Sequence, residues 1–349
     1  MAARPQDDQR LTDRAEVASI VADPSWLAWR YDARRDELHF LWLPREAHRS
    51  LVFLSDAERT KRPRRIVPRQ IAVSVAHARA PLHLILHSGL AGSTLLARAL
   101  DEEGAVMALK EPPILTDLIS HRLDGAPHIS APELLGQVTT LLARPFAPGE
   151  AVVLKMSSVG NLLGPEIIAA RPDTRALCLH APLPLFLASL AGKGVPGRLG
   201  GRKMFIGLRN SGAVDFGFNE KELFELVDLQ LAALAWLVIH RILGEAVRHP
   251  GPPLVRSTGS ERLIADPAAT LSGIAAHFGI RLDVAALIAG PRLRSHAKTG
   301  EPYDASRRLR DLQAAEAAHG DEIGMVAAWA GQVAQAMGLA LELPIESAL

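Results

Sequence analysis

The chain has 349 residues, 48% hydrophobic and 22% charged, which is enough apolar material for one large α/β domain or two smaller ones. Its 39 basic and 38 acidic residues leave a formal net charge of +1, so there is no overall electrostatic reason to expect nucleic acid or an anionic membrane as partner. A single cysteine, Cys178, excludes an internal disulfide and a thiolate metal cluster; inside RALCLH it reads as a core thiol.

The opening residues, MAARPQDDQR, lack the apolar core of a secretory signal. The apolar run LAALAWLVI is too short to cross a bilayer. A cytoplasmic protein without membrane insertion is therefore expected. Residues 1–80 read as a small β-containing lead-in. WLAWRYDARRDELHFLWLP alternates as two strands around a polar turn at Asp32–Asp36, and RSLVFL reads as a further strand. ERTKRPRRIVPR is basic and broken by prolines, hence a solvated linker.

Residues 81–349 form the second unit, in which strands and helices interleave. LHLILH leads into the helix STLLARALDEEG, with Gly104 as its C-cap. AVMALK is the next strand, followed by a helical region centred on APELLGQVTTLLA. EAVVLK and RALCLH are the third and fourth strands; after them, PLPLFLASLAG is a helix with prolines in its first turn. NEKELFELVDLQLAALAWLVIHRILGEAV reads as one long helix opened by an Asn219/Glu222 capping box. PPLVR is the fifth strand, and DPAATLSGIAAHFGI a helix opening on Asp-Pro. This order predicts a three-layer α/β fold, a central parallel sheet flanked by helices.

Ligands of such sheets bind at the carboxyl ends of the strands. Here those ends carry His87, Lys110-Glu111, Lys155 with Ser157-Ser158, His180, and Arg256-Ser257-Thr258. The first strand continues into HSGLAGSTLL, which has the order of a phosphate-cradling loop: strand, glycine-punctuated turn, helix start. The nucleotide-hydrolase form requires a glycine where His87 stands and a lysine where Ser93 stands.

The same residues resemble the P-loop sulfotransferases, distantly including tyrosylprotein sulfotransferases. HSGLAGSTLL resembles their 5′-phosphosulfate loop, LKEPPIL the acidic segment after the second strand, and VVLKMSSVGN the strand that ends in a catalytic lysine. LHAPLPLFLASL is similar to the segment that holds the donor's 3′-phosphate, and LVRSTGSERLIADPAATLSGIAAHFGI to the late strand, turn and helix. The likeness covers about residues 82–300.

The resemblance implies the P-loop fold and 3′-phosphoadenosine 5′-phosphosulfate as co-substrate, with no metal. It assigns Ser88, Gly89, Gly92, Ser93, Thr94 and Leu95 to the donor's 5′ end, and His180, Ser189 and Lys298 to its 3′-phosphate. Glu111 becomes the general base and Lys155 the catalytic cation. The acceptor is a hydroxyl or amine on a small or medium-sized molecule. Two positions depart from the family: Leu90 replaces a loop cation and His180 an arginine.

Those departures keep a non-catalytic nucleotide-binding module open as an alternative. A P-loop kinase or nucleotide hydrolase fits less well, because Ser93 stands at the lysine position. AGKGVPGRLGGRKMF, with Lys193, Arg198, Arg202 and Lys203, reads as a mobile basic loop able to fold over a polyanionic ligand. Aromatics at 5% offer no stacking platform for nucleic acid, and the 13 histidines lack paired helical zinc spacing. Residues 1–80 and 115–150 are the expected acceptor-pocket regions; acceptor identity and oligomeric state are not legible.

Overall fold

The computed structural model describes residues 8–59, 61–77, 80–124, 128–251, 253–295, 305–344 and 349. Lys298 lies outside the described residues.

The N-terminal strands are β1 (Asp8–Arg10), β2 (Trp26–Asp32), β3 (Glu37–Trp42) and β4 (Arg64–Pro68). They form a mixed sheet in the order β1-β4-β3-β2. β2 and β3 pair antiparallel around the Asp32–Asp36 turn, as their alternation predicts. Two expectations for this region fail. RSLVFL is not a strand: the Arg45–Ser50 helix ends there and a 3-10 turn, Leu54–Arg59, follows. Leu54 and Ala57, three residues apart and both fully buried, fix that turn against the core. The basic stretch is not a linker either, since Arg64–Pro68 is β4, paired with both β1 and β3. Val67 is buried, and the Arg65 guanidinium lies over the Trp26 ring at 5.0 Å, so this charge covers the sheet.

The main sheet comprises β5 (Leu82–His87), β6 (Val106–Lys110), β7 (Ala151–Lys155), β8 (Ala176–His180) and β9 (Val255–Gly259). All its pairings are parallel, in the order β6-β7-β5-β8-β9. Its strands are short apolar runs because both faces are covered. Leu84, Leu86, Leu109, Leu154 and Cys178 join one core with Leu118, Val138, Ile167, Leu187 and Trp236 from the helices that follow β6, β7 and β8. Ile85, Val106, Val153, Leu177 and Leu179 face the other way, onto Leu96, Ala97 and Leu100 of the Ser93–Leu100 helix and Leu271 and Ile274 of Pro267–Phe278. Burial pushes the Cys178 thiol up to about 12, so it is an inert core group.

β5 sits at the centre, and its outgoing helix takes the opposite face from those leaving its neighbours β7 and β8. A change of side beside the central strand is where α/β sheets bind ligands. The N-terminal sheet shares the first core through Leu27, Trp29, Leu38 and Phe40. The N-terminal region is also tied to the helical segments between β6 and β7 by polar contacts: Arg30 Nε donates to Asp117 Oδ2 (2.8 Å), and the Arg144 guanidinium donates to the carbonyls of Val21 (2.7 Å) and Trp26 (2.6 Å).

Two helix boundaries also differ from expectation. The Asn219/Glu222 capping box is present, but the helix it opens runs only Glu220–Glu225. Val227 is extended, and Gln230 Oε1 accepts its N–H (3.0 Å) to start a second helix, Asp228–Arg248. That second helix is apolar enough to span a bilayer by composition, yet 83% of its most apolar stretch is buried in the core. The helix after β5 ends at Leu100; Gly104 instead occupies a turn at φ 82°, its N–H held by Glu150 (2.8 Å).

Candidate active site at the strand ends

The turn after β5 is built from the inside. Asn161 is fully buried: its Oδ1 accepts the His87 N–H (3.2 Å) and its Nδ2 donates to the His87 carbonyl (2.8 Å). One side-chain amide thus does the work of a missing strand partner. The His87 ring braces the turn as well. Its Nδ1 accepts the Gly89 N–H (3.0 Å), which leaves Nε2 to carry the proton and donate to the Met156 carbonyl (2.8 Å). Ser88 is buried, and its Oγ accepts the Ala181 N–H (2.9 Å), tying the turn to the end of β8. The Ser88 hydroxyl and the Gly89 N–H, both assigned to a donor from sequence, are therefore engaged inside the protein.

The chain then passes through positive φ at Gly89 (83°), Leu90 (52°) and Gly92 (84°) before the Ser93–Leu100 helix begins. A leucine at φ 52° is an uncommon conformation, held here by the surrounding packing. Ser93 and Thr94 are the first two helical residues, and Leu95 the third. Among the described residues, neither the Ser93 nor the Thr94 hydroxyl has a hydrogen-bond partner, although both side chains are largely buried. A helix start with two unengaged hydroxyls and first-turn N–H groups is suited to an anion.

Beside this turn stand the ends of β6 and β7. Lys110 and Lys155 are register partners, and Lys155 also pairs with Ile85 of β5. Both lysines therefore start from the face that carries the Ser93–Leu100 helix. Lys155 is only 1% exposed, and its Nζ is ion-paired with Glu111 Oε1. The Phe53 ring covers the same ammonium, its centroid 5.4 Å from Nζ. Glu111 holds φ 57° while its N–H still bonds the Lys155 carbonyl (2.9 Å), and its side chain is 22% exposed. The open side of the pair is thus the carboxylate. Lys110 is turned away, donating to the Arg49 carbonyl (3.2 Å), and burial lowers its pKa to about 8.

Of the three residues expected at the 3′-phosphate, His180 and Ser189 are described, and they are placed differently from each other. His180 ends β8, where burial lowers its pKa and Glu261 partly offsets that effect. The neutral imidazole is the favoured form, which leaves a donor or acceptor but no fixed charge. Ser189 is the seventh residue of Leu183–Ala191, roughly 9 Å along the axis from the helix start. It is half-buried and stands two turns from the strand tip.

The glycine-rich stretch is no loop; it forms the Gly194–Asn210 helix. Gly201 is a contact point between helices, since a Cβ there would lie 2.7 Å from the Ala232 Cβ, whereas Gly200 faces open space. Tertiary packing outweighs poor helix propensity here. Met204 of this helix and Phe186 lie over the Gly89 backbone, 3.6 and 3.3 Å from where a Cβ would stand. Its arginines are paired sideways, Arg198 to Glu322 (2.6 Å) and Arg202 to Asp228 (2.8 Å). The stretch is a packed cover over the turn with Arg198 and Arg202 directed elsewhere.

Sequence reasoning missed Asn161, whose role depends on a carbonyl and an N–H 74 residues away. It missed Phe53, which no motif marks. The only sequence signal for His87 as a brace was its place in the first-glycine position.

A parallel sheet ordered β6-β7-β5-β8-β9, with a glycine-punctuated turn and helix after its central strand, makes this an α/β protein of P-loop type. Its structure is similar to the sulfotransferase domain of the curacin biosynthetic pathway, at 13% identity and TM-score 0.43 over 76% of this chain and 99% of that one. It is similar also to a Mycobacterium avium sulfotransferase (13% identity, TM-score 0.42, 92% of this chain and 98% of that). A third is a sulfotransferase from Alicyclobacillus acidocaldarius (14%, 0.37, 59% and 83%). Identities and TM-scores this low locate no residue of the site. No protein-family profile and no curated protein matches the sequence.

Proposed function

We propose that the chain is a sulfotransferase that moves a sulfuryl group from 3′-phosphoadenosine 5′-phosphosulfate to a hydroxyl or amine of a small or medium-sized acceptor. The observation that carries this reading is the Lys155–Glu111 pair, a buried cation and an accessible carboxylate on adjacent strand ends beside the Ser93–Thr94 helix start.

The residues present fit such a donor at its 5′ end. First-turn N–H groups from Ser93 to Leu95 and the Ser93 and Thr94 hydroxyls can donate to the anionic oxygens. The charge that a loop lysine would supply comes instead from β7, through Lys155. The fit is weaker at the 3′ end, where the favoured neutral form of His180 offers no fixed positive charge. When bound, the donor supplies the sulfuryl group and leaves as adenosine 3′,5′-bisphosphate.

Glu111 takes the acceptor's proton as the new S–O or S–N bond forms and the S–O bond to the phosphate breaks. Giving up its charge also loosens its hold on Lys155, whose ammonium is then free to stabilise the oxygen of the departing phosphate. One such oriented donor is worth ~3 kcal/mol of transition-state stabilisation, about a hundredfold in rate.

Calorimetric titration with adenosine 3′,5′-bisphosphate, and separately with Mg-ATP, tests the reading. Bisphosphate binding that is lost on removing the 3′-phosphate supports it. Binding of Mg-ATP alone moves the chain to the kinases, and binding of neither overturns it. The Lys155–Glu111 contact also favours a second reading, a nucleotide-binding module without chemistry, because each group neutralises the other at rest. Donor binding with no transfer to any acceptor would decide for that module.

A further inference from the structure

The helix Asp228–Arg248 and the segment after the last helix enclose a cleft away from the β5 turn. The last helix, Ala305–Ala336, is closed by Gly338 at φ 63°, with the Leu339 N–H returning to the Ala334 carbonyl (2.8 Å). That stop lays residues 339–344 along Asp228–Arg248. Gly244 marks the contact: a Cβ there would lie 4.0 Å from Leu343 Cδ2 and 3.3 Å from Arg248 Nη2. Between the two elements is a cavity of about 390 Å³. Arg248 ends its helix shortly before β9 begins, so the cleft extends toward the amino ends of the strands, away from Glu111 and Lys155.

Three groups in this cleft lack the partners usual elsewhere in the protein. Arg241, Gly244 and Arg248 recur at three and four residues and so share one helix face. Arg241 donates one hydrogen bond, to the Ala213 carbonyl (2.8 Å); among the described residues Arg248 has none, and neither arginine has a carboxylate at ion-pair distance. By contrast, Arg30, Arg45, Arg69 and Arg122 are each paired with a carboxylate. Glu342 lines the facing wall, so two guanidiniums against one carboxylate leave the cleft with a net positive charge. His240 is the third group. Its ring stacks on Trp236, centroids 4.4 Å apart, and is 3% exposed, and neither ring nitrogen has a hydrogen-bond partner among the described residues. Burial lowers its pKa to about 4, and the nearby His180 adds to this; the Glu342 backbone offsets part of it without closing a hydrogen bond. A neutral imidazole thus lines the buried end of the cleft with its donor and its acceptor unused.

We propose that this cleft is a binding site for a small organic carboxylate, its anionic group held by Arg241 and Arg248 and its apolar body against Leu339, Leu343 and Pro344. A planar guanidinium matches a carboxylate with two parallel hydrogen bonds, and a single negative charge balances the excess of one guanidinium over Glu342. The cavity has the size of a pocket for a small organic molecule, larger than an inorganic ion needs, and the apolar wall gives such an ion nothing to meet. A ligand that reaches the buried end also supplies the His240 ring with the partner it lacks.

The test is calorimetric titration of the full chain with hexanoate, hexanamide and inorganic phosphate, for the native protein, Arg248→Ala and Lys155→Met. Arg248 is exposed, so its truncation leaves the fold intact. Hexanoate should bind the native protein and Lys155→Met alike at millimolar concentrations. Hexanamide, which lacks the charge, and phosphate, which lacks the apolar body, should bind at least about tenfold more weakly, and Arg248→Ala should weaken hexanoate by about tenfold. No hexanoate binding, equal binding of hexanamide or of phosphate, or hexanoate binding indifferent to Arg248→Ala overturns the proposal. Hexanoate binding that disappears in Lys155→Met lies at the strand ends and overturns it as well. None of these outcomes touches the sulfotransferase reading, which bisphosphate binding tests separately.

Discussion

Glu111→Gln and Lys155→Met should have unequal effects on stability, and the inequality follows from burial. Lys155 is 1% exposed, so Glu111→Gln leaves an ammonium in the sheet facing an amide oxygen in place of a carboxylate. Breaking a buried pair from one side costs about 3–5 kcal/mol. Because the glutamate side is 22% open to solvent and the amide still accepts, about 2 kcal/mol is expected here. Lys155→Met removes the buried charge, places an apolar chain under the Phe53 ring, and lets the Glu111 carboxylate return to water; its cost should be below about 1 kcal/mol. The double variant should resemble Lys155→Met, a coupling of about 2 kcal/mol. Urea denaturation of all four proteins measures it, and raising salt to about 1 M should leave it largely in place, since a buried pair is poorly screened. A coupling below about 0.5 kcal/mol, or one abolished by salt, would refute the view of this contact as a buried pair with one open side.

Other outcomes follow from the same structure. Asn161→Ala strips both polar partners from the buried His87 backbone and should lower stability by about 2–4 kcal/mol in urea titrations; a loss under about 1 kcal/mol would mean that water replaces the amide. Gly200 and Gly201 are neighbours with opposite expectations: Gly200→Ala meets open space and should stabilise by about 0.5–1 kcal/mol, whereas Gly201→Ala drives a Cβ into Ala232 and should destabilise by about 1–3 kcal/mol. Equal shifts in thermal midpoint for the two would contradict the helix contact. Lys110 has a folded pKa of about 8 against an ordinary 10.5, so between these values the unfolded chain binds the extra proton. Stability from this group therefore rises with pH across that window, by up to about 3 kcal/mol, its burial penalty being in full force below pH 8. Native protein and Lys110→Met should differ in slope there; parallel pH–stability curves would count against it.

The sequence carried the sheet well, because short runs such as LHLILH and EAVVLK admit little besides buried parallel strands. The chemistry-bearing strand ends were legible for the same reason: a strand that stops at Lys155 or His180 displays it at the rim. Glu111 and Lys155 were visible singly, but their pairing required knowing that β6 lies beside β7. The glycine-rich helix was illegible in principle, since its glycines look like flexibility until Ala232 is seen packed against Gly201. The Leu226–Val227 break was hidden by apolar residues continuing through it, with only Gln230 to mark the new start. RRIVP was hidden by its arginines and proline, which read as a linker unless β3 is present to pair with it.

The question left by the loop is where its positive charge resides. Ser93 stands at the lysine position and Leu90 at the sulfotransferase cation, so nothing on the turn itself is charged. One supply is Lys155, on a strand directly bonded to β5 and in register with Ile85. A lysine on a flexible loop must be ordered when a ligand arrives, at a cost in side-chain entropy. Lys155 is already ordered, fixed between the Glu111 carboxylate and the Phe53 ring. In the proposed reaction the carboxylate that holds it also takes the acceptor's proton, so neutralising Glu111 is the event that releases Lys155. Charge on the donor side then becomes available only as the acceptor is deprotonated. In the proposed reaction this makes one ion pair both the resting lock of the site and its coupling between acceptor and donor.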